Sequence, residues 1–500
     1  MQQIYWLVFP FFLYTLAFGG IIVPKLELIL SLVCRDYLAD QAGATPVDLF
    51  GNNNQCNTPE VSALATKFTL VLTLVSGFLS ALVSPKYGAL SDRYGRKRLL
   101  AITTSGGVLS EIVTIIAATN PDSINYRILI LGAFFEGICG SFIAGMAITH
   151  SYAADCTPPA KRAVAFGYFH ACLFGGIAFG PLLAGVIIKA TGQILVIFYI
   201  ALGAHLIFLT FLLLVIPESL PKIRQMAARE KYRMERDDDV RNGKTASIFH
   251  AANILAPLKI LYPTGPGSSS RIRTNLVLLS AVDTILFGTA MGAMTVTIYY
   301  SKLAFTWDAF RTNIFVATLN SCRVSALIII LPTLNYIFRT RVRARARRAS
   351  GVEVAEKQSG SDNLDLNIIR FSVFLDTLGY IGYATVRTGG LFTASGILAS
   401  VGGMGSPTLQ SALTKHVPQD RVGQLLGATG LLHALARIIS PTVFSLLYAS
   451  TVKTMPQAVF IVLACCFAMA FVVSWFVKPH GKFCISSMVL WFSLIFNSLS

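Results

Sequence analysis

Apolar runs of about 20 residues recur from one end of the chain to the other, each long enough to cross a bilayer core as a helix, with short polar loops between them. The bilayer therefore constrains the fold before any motif is read. Composition agrees: of 500 residues, 54% are hydrophobic and 13% charged, where a soluble domain carries about 25% charged. Mean hydropathy is +0.64. Twelve spans of about 20 residues fit this length with loops to spare. The net charge of +17 could suggest nucleic acid. The basic residues, however, lie in short loops between spans, which is the positive-inside signature of a membrane protein. No nucleic-acid partner is expected. The nine cysteines show no zinc-type spacing, so no metal is expected either.

The first span starts near Ile4 and runs through FPFFLYTLAFGGIIVP. It lacks the basic leader of a signal peptide and is too long for one, so it reads as a retained span. Pro24 is expected to kink its outer half, with Lys25 and Glu27 reaching back to water. Residues 35–61 carry Asp36, Asp40, Asp48 and Glu60 against Arg35 alone. That acidic excess places the loop outside and the N-terminus in the cytoplasm. Cys34 and Cys56 bracket the loop, and an oxidising face permits a disulfide there.

Between apolar runs at about 62–84 and 99–118 lies GALSDRYGRKR, residues 88–98. Gly88, Asp92, Arg93, Gly95, Arg96 and Lys97 match the loop between the second and third helices of the major facilitator superfamily, which the chain resembles over roughly residues 4–478. A generic basic loop needs neither the acid nor the two glycines. The resemblance implies an all-α polytopic membrane fold of 12 transmembrane helices in two six-helix halves. It also implies that Asp92, Arg93 and Arg96 form a conformational latch and not a substrate site. Arg127 opens a fourth span that runs to about His150, followed by the loop SYAADCTPPAKRA. The fifth span holds Gly167, Gly176, Gly180, Pro181 and Gly185, which resembles the glycine–proline motif of the superfamily's antiporters, with Ala184 where a further glycine is usual. Small residues one turn apart let two helices approach closely.

The sixth span, about 194–216, closes a first half at residues 1–217. Residues 218–272 read as a cytoplasmic linker of mixed charge with a Gly/Pro/Ser tail, and Asp237–Asp239 as a solvated face within it. A second half covers 273–478, with spans near 273–300, 311–333, 367–387, 389–414, 424–449 and 456–477. The loop after its second span carries six arginines between Arg339 and Arg348 but no acid or glycine pattern. Topology signalling and contact with anionic lipid both suit it. Pro158, Gly167 and Pro181 recur 260 residues on as Pro418, Gly427 and Pro441, while Arg162 and Arg421 sit one residue out of register. A duplicated six-span unit would leave that pattern, with an axis along the membrane normal. Residues 479–500 form an atypical hydrophobic tail, too short for a secure span.

Ions near a bilayer centre cost at least about 2.5 kcal/mol each, so each needs a reason. Glu136, Asp283, Arg323, Asp376 and Arg437 lie near the middle of their runs. By the resemblance, Glu136 and Asp283 face the cavity, Arg323 and Arg437 can reach it, and Asp376 is a structural residue. A carboxyl in a dry cavity can bind and release a proton, which makes Glu136 or Asp283 a candidate for proton coupling. The competing reading is a fixed ion pair such as Asp283 with Arg323. His170 and His433 are weaker candidates, more readily read as packing residues. No nucleotide-binding loop occurs. No nucleophile–base constellation stands out, so neither enzyme activity nor a cofactor is expected.

The functional expectation is a monomeric secondary transporter for a small-molecule substrate and protons, exporting organic compounds. The plasma membrane is expected ahead of the vacuolar membrane. Proton-coupled uptake of a folate-like or haem-like anion is the alternative, and a receptor that binds without transporting is a third reading.

Overall fold

A computed structural model describes residues 2–39, 56, 58–241, 256–264, 269–307, 309–342 and 360–479. The tail from residue 480, Arg343–Arg348, and Asp40 and Asp48 of the acidic loop lie outside the described residues. Among the described residues every regular element is helical, and ten helices are long and apolar enough to cross a membrane. Span one is Gln2–Gly20 continued by Ile22–Leu38, span two Pro59–Tyr94 and span three Arg96–Thr119. Span four joins Leu129–Ile138 to Ser141–Cys156; span five is Arg162–Thr191 and span six Leu195–Leu214. The linker contributes a helix, Lys222–Arg241, and a short 3-10 turn, Ala256–Leu261. Span seven is Ser270–Phe305. Span eight starts as Ala309–Ser325 and ends through two wide π-helical stretches, Ala326–Ile330 and Tyr336–Arg341. The first of these lies just ahead of Pro332, whose ring and missing N–H disturb the preceding turn.

The positions expected for spans nine and ten are helical but less apolar. Span nine is Asn363–Thr385, thinned by Asn367, Arg370 and Asp376; span ten is split into Gly389–Gly402 and Gly405–Thr414. Spans eleven and twelve are Val422–Thr451 and Ala458–Trp475.

The first six spans and the last six pack by one scheme. Span one lies on five and six, three on four and six, and two on four; correspondingly, seven lies on eleven and twelve, nine on ten and twelve, and eight on ten. Across the seam, two packs along eleven and five along eight, with four against eleven and five against ten.

Three spans are interrupted within their length. Span one interrupts at Ile21, one turn before Pro24, which cannot donate to the carbonyl of Gly20. Span four breaks at Cys139–Gly140, with Gly140 at φ +93 and Ser141 at φ +56. Only glycine adopts the first of these without strain. Span ten breaks at Gly403–Met404. Such interruptions free backbone polar groups at membrane depth, a feature tolerated where they line a cavity or are buried in protein.

Candidate gate and central polar site

The loop between spans two and three is a single residue. Gly95 sits at φ +99, and a Cβ there would lie 2.3 Å from Glu218 Oε2. Glu218, just beyond span six, accepts from the backbone N–H of Arg96 at 2.8 Å and of Lys97 at 3.2 Å. Its carboxylate thus caps the N-terminus of span three, where the helix dipole favours negative charge. The side chain of Arg96 is fully buried. It reaches Asp92 at 2.6 Å and Asp155, at the end of span four, at 2.9 Å, and donates to Ser91 Oγ at 2.6 Å. Asp92 in turn accepts from the N–H groups of Gly423 (3.0 Å) and Gln424 (2.7 Å), the first turn of span eleven. The predicted latch therefore crosses the seam as a charge-assisted cap on the partner helix. Spans two and eleven can meet this closely because Gly88, Gly423 and Gly427 face one another: a Cβ on Gly88 would stand 2.2 Å from Gly423 O. Arg93 points away, its guanidinium 3.4 Å from the centre of the Tyr232 ring on the linker helix.

At the related position of the last six spans the charges are reversed. Arg339, expected in a basic loop that signals topology or meets anionic lipid, is buried. It bonds Asp362 at 2.5 Å, Asp365 at 2.9 Å and Asn335 at 2.9 Å, and donates to the carbonyl of Ala160 ahead of span five. Lys415, at the end of span ten, pairs with Asp365. The acid missing from the local sequence comes from the start of span nine.

The glycine–proline run holds span five on span one. A Cβ at Gly176 would stand 2.2 Å from Thr15 O, and one at Gly180 2.5 Å from Gly20 N, so the two backbones touch. Gly167 instead faces Leu331 of span eight, and Gly185 faces open space. Span five remains helical through Pro181.

Asp283 and His433 meet in the centre. His433 Nε2 lies 2.9 Å from Asp283 Oδ2, and its ring stacks on Phe287 with centroids 4.2 Å apart. Both are buried, and among the described residues Asp283 Oδ1 has no hydrogen-bond partner. Nearby, His150 and His170 stack at 5.0 Å. His170 Nδ1 is 3.1 Å from Phe166 O, and a carbonyl only accepts, so that nitrogen carries the hydrogen. Its Nε2 faces Ser406 Oγ at 3.4 Å. His170 lies within electrostatic reach of Asp283 and His433, and His150 of His433 and Gln410. Spans four, five, seven, ten and eleven thus converge on one polar cluster.

The other charges lie around it. Glu136, half-buried beside the break in span four, accepts from Ser141 Oγ at 3.1 Å. Arg323 sits 4.6 Å over the Phe174 ring and against Gly403, with Asp376 against Gly402 on span ten. Asp283 is thus bonded to His433 and not to Arg323. Arg437 is half-buried one turn beyond His433. Sequence reading passed over Glu111, whose Oε1 is 2.6 Å from His205 Nδ1 on span six; the other ring nitrogen, Nε2, is 3.1 Å from Tyr14 O. It also passed over His150. The signal was available in both cases, a polar residue inside an apolar run. At the opposite end of the bundle, Cys34 and Cys56 are disulfide-bonded with Cα atoms 5.5 Å apart.

The profile of the Major Facilitator Superfamily matches residues 4–351. The chain belongs to this superfamily. Among curated superfamily relatives, the MFS-type transporter avaJ of Aspergillus versicolor is 28% identical over 92% of this chain and 85% of its own length. The class C tetracycline resistance protein of Escherichia coli is 26% identical over 78% of this chain and 82% of its own. The crystal structure of the human organic anion transporter MFSD10 (TETRAN) superposes with a TM-score of 0.67 at 16% identity, covering 94% of this chain and 98% of that one. The major facilitator fold is therefore the fold of this chain.

Proposed function

We propose that this protein is a proton-coupled exporter of small organic molecules that works by alternating access. Residues 1–217 and 273–478 act as rocking halves, and 218–272 as the linker. The observation that carries the reading is the Asp283–His433 pair, a buried carboxyl whose second oxygen has no partner among the described residues, at the convergence of five spans. A carboxyl hydrogen-bonded to an imidazole inside a membrane bundle is the kind of pair that relays protons in pumps and transporters, and it can hold a proton while access alternates. Relationship to a tetracycline resistance protein supports outward transport. The basic loops argue that the Asp92 end is cytoplasmic, with the N-terminus on the same side, and the plasma membrane suits export. Arg323 favours the second reading, uptake of an organic anion, since its guanidinium stands over Phe174 at the break of span ten.

The test is proton movement in sealed proteoliposomes of known orientation with a panel of compounds. Compound-driven proton flux opposite to substrate, abolished in Asp283→Asn, supports export by antiport. Flux in the same direction as substrate replaces it with uptake. Binding without flux replaces both with a receptor.

A further inference from the structure

The linker runs from span six to span seven, and most of it is polar, as a passive tether would be. One short segment is not. In the 3-10 turn Ala256–Leu261, Leu258 is half-buried and Ile260 and Leu261 are buried, while Lys259 is exposed. Three residues per turn place Leu258 and Leu261 on one side. The segment packs on spans seven and eleven. Ile260 and Leu261 join the principal core, and Leu258 packs against a cluster formed by Ala81, Ile143, Leu431 and Ala434. Those four residues come from spans two, four and eleven, so the cluster straddles the seam that must part. The linker helix also straddles it: Arg229 Nε donates to Arg93 O of span two at 2.9 Å, and Lys231 pairs at 2.8 Å with Asp420 ahead of span eleven. The Lys231–Asp420 pair is exposed and holds weakly, and the Arg229 bond reaches span two alone, which leaves the apolar segment as the stronger tie across the seam.

We propose that Ala256–Leu261 is a wedge, a third element of the gate beside Asp92 and Arg339, which must leave its seat before the Asp92 end can open. The proposal rests on the alternating-access reading but is tested without transport. In protein whose cysteines other than Cys34 and Cys56 are replaced by serine, Leu258→Cys and Lys259→Cys are labelled with a maleimide. If the open state is a minor one, Leu258→Cys reacts at least about tenfold more slowly than Lys259→Cys. Adding Asp92→Asn should bring the two rates together. Equal rates in the protein with Asp92 intact would overturn the proposal. A second variant removes reliance on Asp92: with Leu258→Ser and Ile260→Ser, the buried position in Ile143→Cys should become reactive, and an unchanged rate there overturns the wedge. A failure of proton coupling would leave both labelling results untouched, so the two readings fail separately.

Discussion

Arg96 is a cation with no exposed surface, and it is tolerable there because Asp92 and Asp155 neutralise it. Asp92→Asn leaves Arg96 paired with Asp155 but takes the charge from the cap on Gly423 and Gln424, where a hydrogen bond to a charged group contributes about 1.5–3 kcal/mol. The substitution should therefore weaken the closed state of this end by about that amount and lower the thermal midpoint of purified protein. An unchanged midpoint would mean that the carboxylate is not the tie. At Asp283 the expected signature differs. Asp283→Asn should abolish accumulation against a gradient while leaving substrate exchange at equal concentrations, whereas His433→Gln should retain part of the accumulation. Counterflow assays separate the two. The motif loop was legible because its residues lie within eleven positions of each other. The Asp283–His433 contact was not, since its members stand 150 residues apart and no spacing rule joins them. Separation in sequence likewise hid Glu111 with His205, and even the 23 and 26 residues between Arg339 and its acids exceed any spacing rule.

For the helices, sequence spacing carried further. The glycines of span five announced a close neighbour, but only the fold shows that the neighbour is span one and that Gly185 takes no part. Gly176→Leu should cost roughly 1–3 kcal/mol or more of stability through overpacking, seen as a lower thermal midpoint, while Gly185→Leu should leave it unmoved. The Cys34–Cys56 bridge closes a 22-residue separation, and loop-closure entropy gives it about 3 kcal/mol. Reduction, or replacement of both cysteines by serine, should lower the midpoint accordingly. The breaks in spans four and ten left only glycine-rich traces, because a glycine in a membrane helix marks a break and a close contact equally well.

The whole molecule repeats one packing scheme, and the shared 260-residue offset of three prolines and glycines was its visible residue in the sequence. What the offset did not reveal is that the contact across the seam is not duplicated: one side offers a carboxylate to a helix N-terminus, the other a guanidinium to a carbonyl. A covalent tie across the seam tests the rocking motion. A Cβ built on Gly430 lies 3.7 Å from Ser84 Cβ, within the range of a disulfide. Oxidised Ser84→Cys with Gly430→Cys, in a chain lacking Cys34 and Cys56, should therefore stop transport, and reduction should restore it. Full transport by the oxidised protein would refute motion at this seam.

Where spans two and eleven cross, Gly88 meets Gly423 and Gly427 with no side chain interposed. Further along the same crossing Ile438 of span eleven seats at Gly77, and the Arg96 and Ser91 side chains close around Gly423. The crossing is a bearing with catches: the glycines set how near the two helices run, and Asp92, Arg96 and Ile438 set what must move before they part.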